Sequence, residues 1–191
     1  MKVKQFYDEA LAHGSYAIVS NKEVALVDPG RDPQPYLDFA QENDAKIVAV
    51  FETHPHADFV SSHLEFYQKH GAKIYINSKV GVSYRHEEMN DGDEVKIGNI
   101  TLRALFTPGH SPDHNTYMLL DEAGNPHSVY TGDSLFVGDV GRPDLREGAG
   151  HLRAEREELA RQMYYTINDV FKNIEDGVVV YPAHGAGSLC G

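Results

Sequence analysis

The sequence predicts a mixed fold of strands and helices, α/β or α+β, with its chemistry gathered where strands end. Short apolar runs rich in Val, Ile and Tyr alternate with longer polar or helix-period stretches, and Gly or Pro stands at most junctions. One run, Lys46 to Phe51, is almost continuously apolar, as expected of a strand covered on both faces.

Taken in order, Ser15 to Val19 and Val24 to Asp28 read as a hairpin turning at Asn21-Lys22 and closed by Pro29-Gly30. A helix is expected around Pro35 to Gln41, then the Lys46 to Phe51 strand, which stops at Glu52-Thr53-His54. Asp58 to His70 reads as a helix with Val60, Leu64 and Tyr67 on its apolar stripe and Gly71 as its stop. Strands are expected at Lys73 to Ile76, Glu94 to Ile97, Thr101 to Phe106, Thr116 to Leu120 and Ser128 to Thr131. A long charged helix from Leu152 to Asn173 and a last strand from Val178 to Tyr181 complete the chain, without repeats or low-complexity tracts.

At 191 residues the expectation is a single domain spanning 1-191, able to bury a core without disulfide or metal staples. The formal net charge of -12 argues against a nucleic-acid partner and against an anionic membrane. No apolar run is long enough to span a bilayer and Met1 to Ala10 does not read as a signal peptide, so a cytoplasmic location is expected. The single Cys190 agrees with a reducing compartment. Eleven histidines are the unusual feature, and their positions carry more than their number.

Four junctions following apolar runs hold the candidate ligands: Thr53-His54-Pro55-His56-Ala57-Asp58, Thr107-Pro108-Gly109-His110, Thr131-Gly132-Asp133 and Tyr181-Pro182-Ala183-His184. Residues just past neighbouring strand ends converge on one crevice, so groups distant in sequence meet there. Imidazoles together with carboxylates suit zinc, iron or manganese, whereas calcium or magnesium would be held by oxygen alone. An isolated histidine is more simply a polar loop residue, but the alignment of these junctions points to a transition metal.

In this order, THPHAD, TPGH, TGD and PAH resemble the metal-binding motifs of the metallo-β-lactamase superfamily. The resemblance implies a four-layer αββα sandwich with the metal at one edge, between two sheets. It departs from HxHxDH at position 59, where Phe59 stands in place of a histidine that helps hold a second metal in two-metal hydrolases such as glyoxalase II. HADFVSSHLEF, GDSLFVGDVGRPDL and YPAHGAGSLCG are closer to persulfide dioxygenases, particularly bacterial ones in which this domain precedes rhodanese domains.

That resemblance implies one non-haem Fe(II) held by His54, His110 and Asp133, with zinc as an alternative or substitute metal. His56, Asp58 and His184 would then stand behind the ligands. In the plain superfamily reading His56 is itself a ligand and Asp58 with His184 holds a second metal. The reaction implied is oxidation of a low-molecular-weight thiol persulfide by O₂ to sulfite and thiol, with the metal carrying the redox chemistry. A glyoxalase II-type thioester hydrolase and a non-catalytic binding domain are the rival readings. The expected partners are a small thiol persulfide and O₂, with a homo-oligomer open.

Arg142, soon after the Asp133 loop, is a candidate grip for an anionic thiol carrier, or else an ion-pair partner of Asp139 or Asp144. Tyr181 either lines the pocket or packs, and the Arg153 to Arg161 run reads as a solvated helix face. Cys190 reads as an incidental thiol, close to where the chain stops and where the resembling fusions run on toward rhodanese domains, which are absent from this sequence.

Overall fold

A computed structural model describes residues 1–145, 152–185 and 188–190, with the side chains of 152–154 outside the description. The strands form two sheets. The first takes β1 (Lys2–Asp8), β2 (His13–Ser20), β3 (Glu23–Val27), β4 (Lys46–Phe51), β5 (Lys73–Asn77) and β6 (Glu87–Met89), hydrogen-bonded in that order. The second takes β7 (Glu94–Ile97), β8 (Ile100–Phe106), β9 (Asn115–Leu120), β10 (Pro126–Gly132) and β11 (Val179–Pro182), in the order β11-β10-β9-β8-β7.

The main core lies between the sheets. Tyr16, Ile18, Val27 and Phe51 of the first meet Leu102, Tyr117, Leu119 and Tyr130 of the second, all essentially excluded from water. Helices α1 (Gln34–Glu42) and α2 (His63–His70) cover the outer face of the first sheet, where Tyr36, Phe39 and Phe66 pack on Leu26, Ile47 and Val50. Helix α3 (Leu152–Tyr165) lies by the loop after β8: Thr166 just beyond it donates to the Pro108 carbonyl at 2.7 Å. The expected αββα sandwich is therefore the fold found.

The β2–β3 hairpin turns at Asn21 and Lys22, with φ of 45° and 64°, the paired left-handed geometry that matches strand twist. β3, β4 and β5 run parallel, so their C-terminal ends open on one side. Gly71 ends α2 with φ 71°, as expected of a left-handed cap. No helix among the described residues is long and apolar enough to cross a membrane.

Several expectations need correction. The helix expected from Asp58 begins only at His63, because residues 54–62 are drawn into a loop: Ser61 Oγ donates to Glu52 at 2.6 Å. Its apolar stripe is also wrong, since Val60 is 67% exposed and Leu64 36%, while Phe66 is the helix's buried residue. The long helix to Asn173 is α-helical only to Tyr165, followed by a π-helical turn over Thr166–Val170 and a 3₁₀ turn over Phe171–Asn173. Strands β1 and β6 were not expected. β1 (KVKQFYD) lies on a sheet edge with lysines at positions 2 and 4, charges that guard against further strand pairing, and its short apolar alternation gives a weak periodic signal.

Candidate metal centre

The four junctions meet where the two sheets share an edge. His54, 3% exposed, follows β4; His110, 8% exposed, follows β8; Asp133, 1% exposed, follows β10. One donor atom from each lies within 4.8 Å of the others. Asp133 Oδ2 stands 3.6 Å from His54 Nε2 and 3.4 Å from His110 Nε2.

The chain presets which nitrogen each ring presents. Thr53 Oγ1 donates to Asp28 Oδ2 at 2.7 Å, so at 3.0 Å it accepts from His54 Nδ1–H and leaves Nε2 bare. His110 Nδ1 lies 3.1 Å from the Arg142 carbonyl, which can only accept, so its Nε2 is bare as well. Fixing one nitrogen by hydrogen bond while the other faces inward is how ligating histidines are oriented. Burial first, then the surrounding imidazoles, pushes the His54 pKa well below its usual value and keeps the ring neutral. Burial pushes Asp133 up, and its Oδ1 has no hydrogen-bond partner. Two bare imidazole nitrogens facing a buried carboxylate with an unpartnered oxygen fit a transition-metal ion.

The Asp133 loop is shaped by a residue absent from the sequence-based candidates. Asp133 N–H donates to His114 Nε2 at 3.1 Å, while the other nitrogen of that ring meets Thr107 Oγ1 at 2.9 Å. Burial and the nearby His110 lower His114 to a pKa of about 3, so it stays neutral and able to accept. Gly132 carries φ 51°, and a Cβ there would come within 2.5 Å of His114 Nε2 and 2.6 Å of Thr53 Oγ1. The TGD sequence is thus a packing requirement as well as a ligand motif.

His56 turns its Nε2 away from this cluster, to 3.0 Å from Asp28 Oδ1 and 3.4 Å from Glu52 Oε2. Burial opposes its charge, but the two carboxylates outweigh burial and raise the pKa well above the usual value. Its Nδ1, across the ring, is buried without a hydrogen-bond partner. Asp28 and Glu52 were missed as site residues; the signal was present, since both stand at the end of a parallel strand beside Thr53-His54.

Asp58 and His184 come together as a second group, with His184 Nε2 3.1 Å from Asp58 Oδ2. Burial disfavours the His184 charge, yet Asp58, Cys190 and Asp133 raise its pKa to about 10. The third member of the group is Cys190, read from sequence as incidental and found buried against these ligands. Residues 186–187 and 191 of the same C-terminal motif lie outside the described residues. Phe59 occupies the position of the expected imidazole and lies against both His56 and His13, with ring centroids 4.4 and 4.0 Å away.

The Arg142 guanidinium makes a two-pronged pair with Asp144, 2.7 and 2.8 Å, realising one of the ion pairs anticipated for it. Its main chain serves the site, accepting from His110 and donating to the Cys190 carbonyl at 2.9 Å. Tyr181 packs: its ring stacks on Tyr130 with centroids 5.3 Å apart and meets Tyr16 at 5.1 Å. On α3 Leu159 and Met163 are buried while Glu155, Glu158 and Arg161 face solvent, as the solvated-face reading expects; the Arg153 side chain lies outside the described residues.

A cavity of about 240 Å³ opens over the cluster, bounded by His54, Asp58, His110, Asp133 and Cys190, with Leu145 and Leu189 at its apolar side. Larger hollows of about 800 and 570 Å³ lie elsewhere on the surface, but the converging metal donors mark the smaller one as the chemical site.

The sequence matches the Metallo-beta-lactamase superfamily over residues 10–184. It is similar to the cytoplasmic hydroxyacylglutathione hydrolase of Arabidopsis thaliana, 33% identical over 182 residues, covering 90% of this chain and 69% of the relative. It is also similar to the mitochondrial persulfide dioxygenase ETHE1 of Homo sapiens, 26% identical over 167 residues, covering 86% of this chain and 59% of the relative. Among solved structures, a metallo-beta-lactamase from Staphylococcus aureus subsp. aureus COL superposes with a TM-score of 0.92 at 38% identity, covering 100% of this chain and 58% of that one. The chain spans 72% and 51% of the length of two further curated relatives. Fold, match and a buried His/Asp cluster agree: the chain belongs to the metallo-beta-lactamase superfamily of metal-dependent proteins.

Proposed function

We propose that the chain is a non-haem iron persulfide dioxygenase that oxidises a low-molecular-weight thiol persulfide to sulfite and the parent thiol. The observation that carries the proposal is the His54–His110–Asp133 group, two imidazoles and one carboxylate around a point that opens on a cavity. Such a set, with coordination positions left free, is the ligand pattern of non-haem Fe(II) oxygenases. Phe59 supports the same reading by removing an imidazole that a two-zinc hydrolase would use.

Bound iron would supply open coordination positions and a redox-active path by which the persulfide sulfur is oxidised and O₂ reduced. The chain's residues do the rest. Thr53 and the Arg142 carbonyl hold the two rings in their bare-Nε2 forms, and His114 fixes the loop that presents Asp133. Leu145 and Leu189 give the cavity an apolar side, which favours a sulfur-terminated substrate. Overall, persulfide, O₂ and water become thiol, sulfite and two protons: the S–S bond breaks, the outer sulfur is oxidised and O₂ is reduced. The carrier of the persulfide is a small thiol, and Arg142 is assigned to its anionic part.

Thioester hydrolysis of the glyoxalase II type is the second reading, favoured by one observation: Asp58 and His184 are both retained, 3.1 Å apart. Oxygen uptake and sulfite release with a thiol persulfide, set beside hydrolysis of a glutathione thioester by the same iron-loaded protein, separate the two. Persulfide-dependent uptake with no thioester turnover is the expected result, and the reverse pattern rejects the proposal.

A further inference from the structure

Lys46 and Lys73 stand at the starts of the parallel strands β4 and β5, whereas His54 follows the end of β4. The edge opposite the metal centre carries a hollow of about 800 Å³, bordered by these two lysines, by Lys69 and His70 at the end of α2, and by Lys96 of β7. Both sheets contribute to it, since β7 belongs to the second. Leu37, Ile47 and Ile97 give it an apolar side.

The charge of this hollow runs against that of the chain. The sequence has 17 lysines and arginines against 29 aspartates and glutamates. Around the hollow the order is reversed, with four lysines and a single carboxylate, Glu23, whose Oε2 already accepts from Gly98 N–H at 2.6 Å. Part of this has a local cause. Lys69 and His70 complement the carbonyl end of α2, Lys69 Nζ pairs with Glu65 at 2.6 Å, and Lys73 Nζ lies 3.6 Å from Glu87. Lys46 and Lys96 have no such cause: both are exposed, they come from different sheets, and neither has an ion-pair partner among the described residues. A concave, locally positive surface on an acidic protein focuses its field and draws in an anion.

We propose that this hollow binds a small organic polyphosphate of the nucleotide class, with its phosphates at Lys46 and Lys96 and its ring on the apolar side formed by Leu37, Ile47 and Ile97. The volume falls within the range of small-molecule sites, roughly 300–1,000 Å³, and an apolar lining with a few charged groups is their usual make-up. Ammonium groups bind phosphate as point charges, and Lys69 and Lys73, whose present partners are exposed carboxylates, add charge for more than one phosphate. The nucleotide is not the substrate of the metal centre, because the two sites lie at opposite ends of β4. The inference is independent of the reaction proposed above.

Equilibrium dialysis of labelled ATP against the full metal-loaded chain tests the site. Lys46→Gln/Lys96→Gln is compared with Lys79→Gln/Lys172→Gln, which changes the net charge equally at lysines that do not border the hollow. Thermal unfolding of both double variants checks that they are folded. The wild type is expected to saturate at one ATP per chain. Lys46→Gln/Lys96→Gln is expected to weaken binding at least about tenfold, because hydrogen bonds between charged groups are the strong ones. The control variant keeps its affinity within about twofold at about 0.1 M salt, where distant charges are screened. Inorganic tripolyphosphate, which has no ring, binds more weakly than ATP. Absence of ATP binding by the wild type, equal losses in the two double variants, undiminished binding in Lys46→Gln/Lys96→Gln, or tripolyphosphate as tight as ATP would each overturn the proposal. The wild-type titrations stand even if a variant fails to fold.

Discussion

The Phe59 ring lies on the buried imidazole of His13, centroids 4.0 Å apart, at the place where a two-metal member of the superfamily would carry a ligand. His13 Nε2 has no hydrogen-bond partner, and burial lowers the ring to a pKa of about 4 despite the nearby carboxylates. Aromatic packing fills the space at position 59, next to the Asp58–His184 pair.

Phe59→His is therefore expected to raise the affinity for a second metal, by about tenfold or more if the new imidazole reaches the ion. Metal content after dialysis against a fixed zinc concentration measures it. Unchanged stoichiometry and affinity would show that Phe59 does not limit the second site.

Asp28 accepts from Thr53 N–H, Thr53 Oγ1 and His56 Nε2, and so supports both His54 and His56. Asp28→Ala leaves His56 buried with its charge half compensated, and a loss of about 3–5 kcal/mol is expected from breaking a buried pair. Urea unfolding of the metal-free protein reports it. Metal affinity should also fall, about 10–100-fold, because the groups that hold the ligands are lost. A change under 1 kcal/mol would contradict the network as described, by analogy with an exposed pair worth about 0–1 kcal/mol.

His114 gives a pH signature. Its native pKa of about 3 lies below the unfolded value of 6.5, so between these the unfolded chain binds a proton that the native state refuses. Stability from this group is complete above pH 6.5 and falls as pH drops toward 3. His114→Asn removes that proton uptake, so its stability curve is expected to be flatter than wild type over the window. Parallel curves would mean that His114 is not held neutral.

Arg142→Ala should spare stability, because its pair with Asp144 is 44% exposed on the arginine side and such pairs contribute about 0–1 kcal/mol. If the guanidinium leaves Asp144 for the substrate carrier, KM rises several-fold with most of kcat retained, which is the expected result. An unchanged KM would assign Arg142 to its ion pair and to its main-chain contacts alone.

Much of this site was legible because ligand motifs sit where apolar runs stop, and strand ends from both sheets open on the same edge. His54, His110 and Asp133 converge for that reason, as do Asp58 and His184. Less legible were groups whose role is set by three-dimensional packing. His114 lies in a polar loop that resembles any other until its Nε2 meets the Asp133 amide. Cys190 gains meaning only from the chain turning back across Arg142. The start of α2 was misplaced because Asp58 to Ser62 has helical periodicity, but Glu52 captures Ser61 and the loop at the metal site takes precedence over local propensity. β1 and β6 were missed because edge strands show little apolar alternation and their pairing comes from neighbours distant in sequence.

Iron-loaded wild type and Asp133→Asn compared in an oxygen electrode, with sulfite assayed in the same samples, test the persulfide dioxygenase activity itself. An amide keeps the shape of Asp133 but loses the charge that balances the ion between His54 and His110. Wild type is expected to consume O₂ only with thiol persulfide and to release one sulfite per O₂, while Asp133→Asn does neither. Thioester hydrolysis by the wild type with no persulfide-dependent oxygen uptake would contradict it.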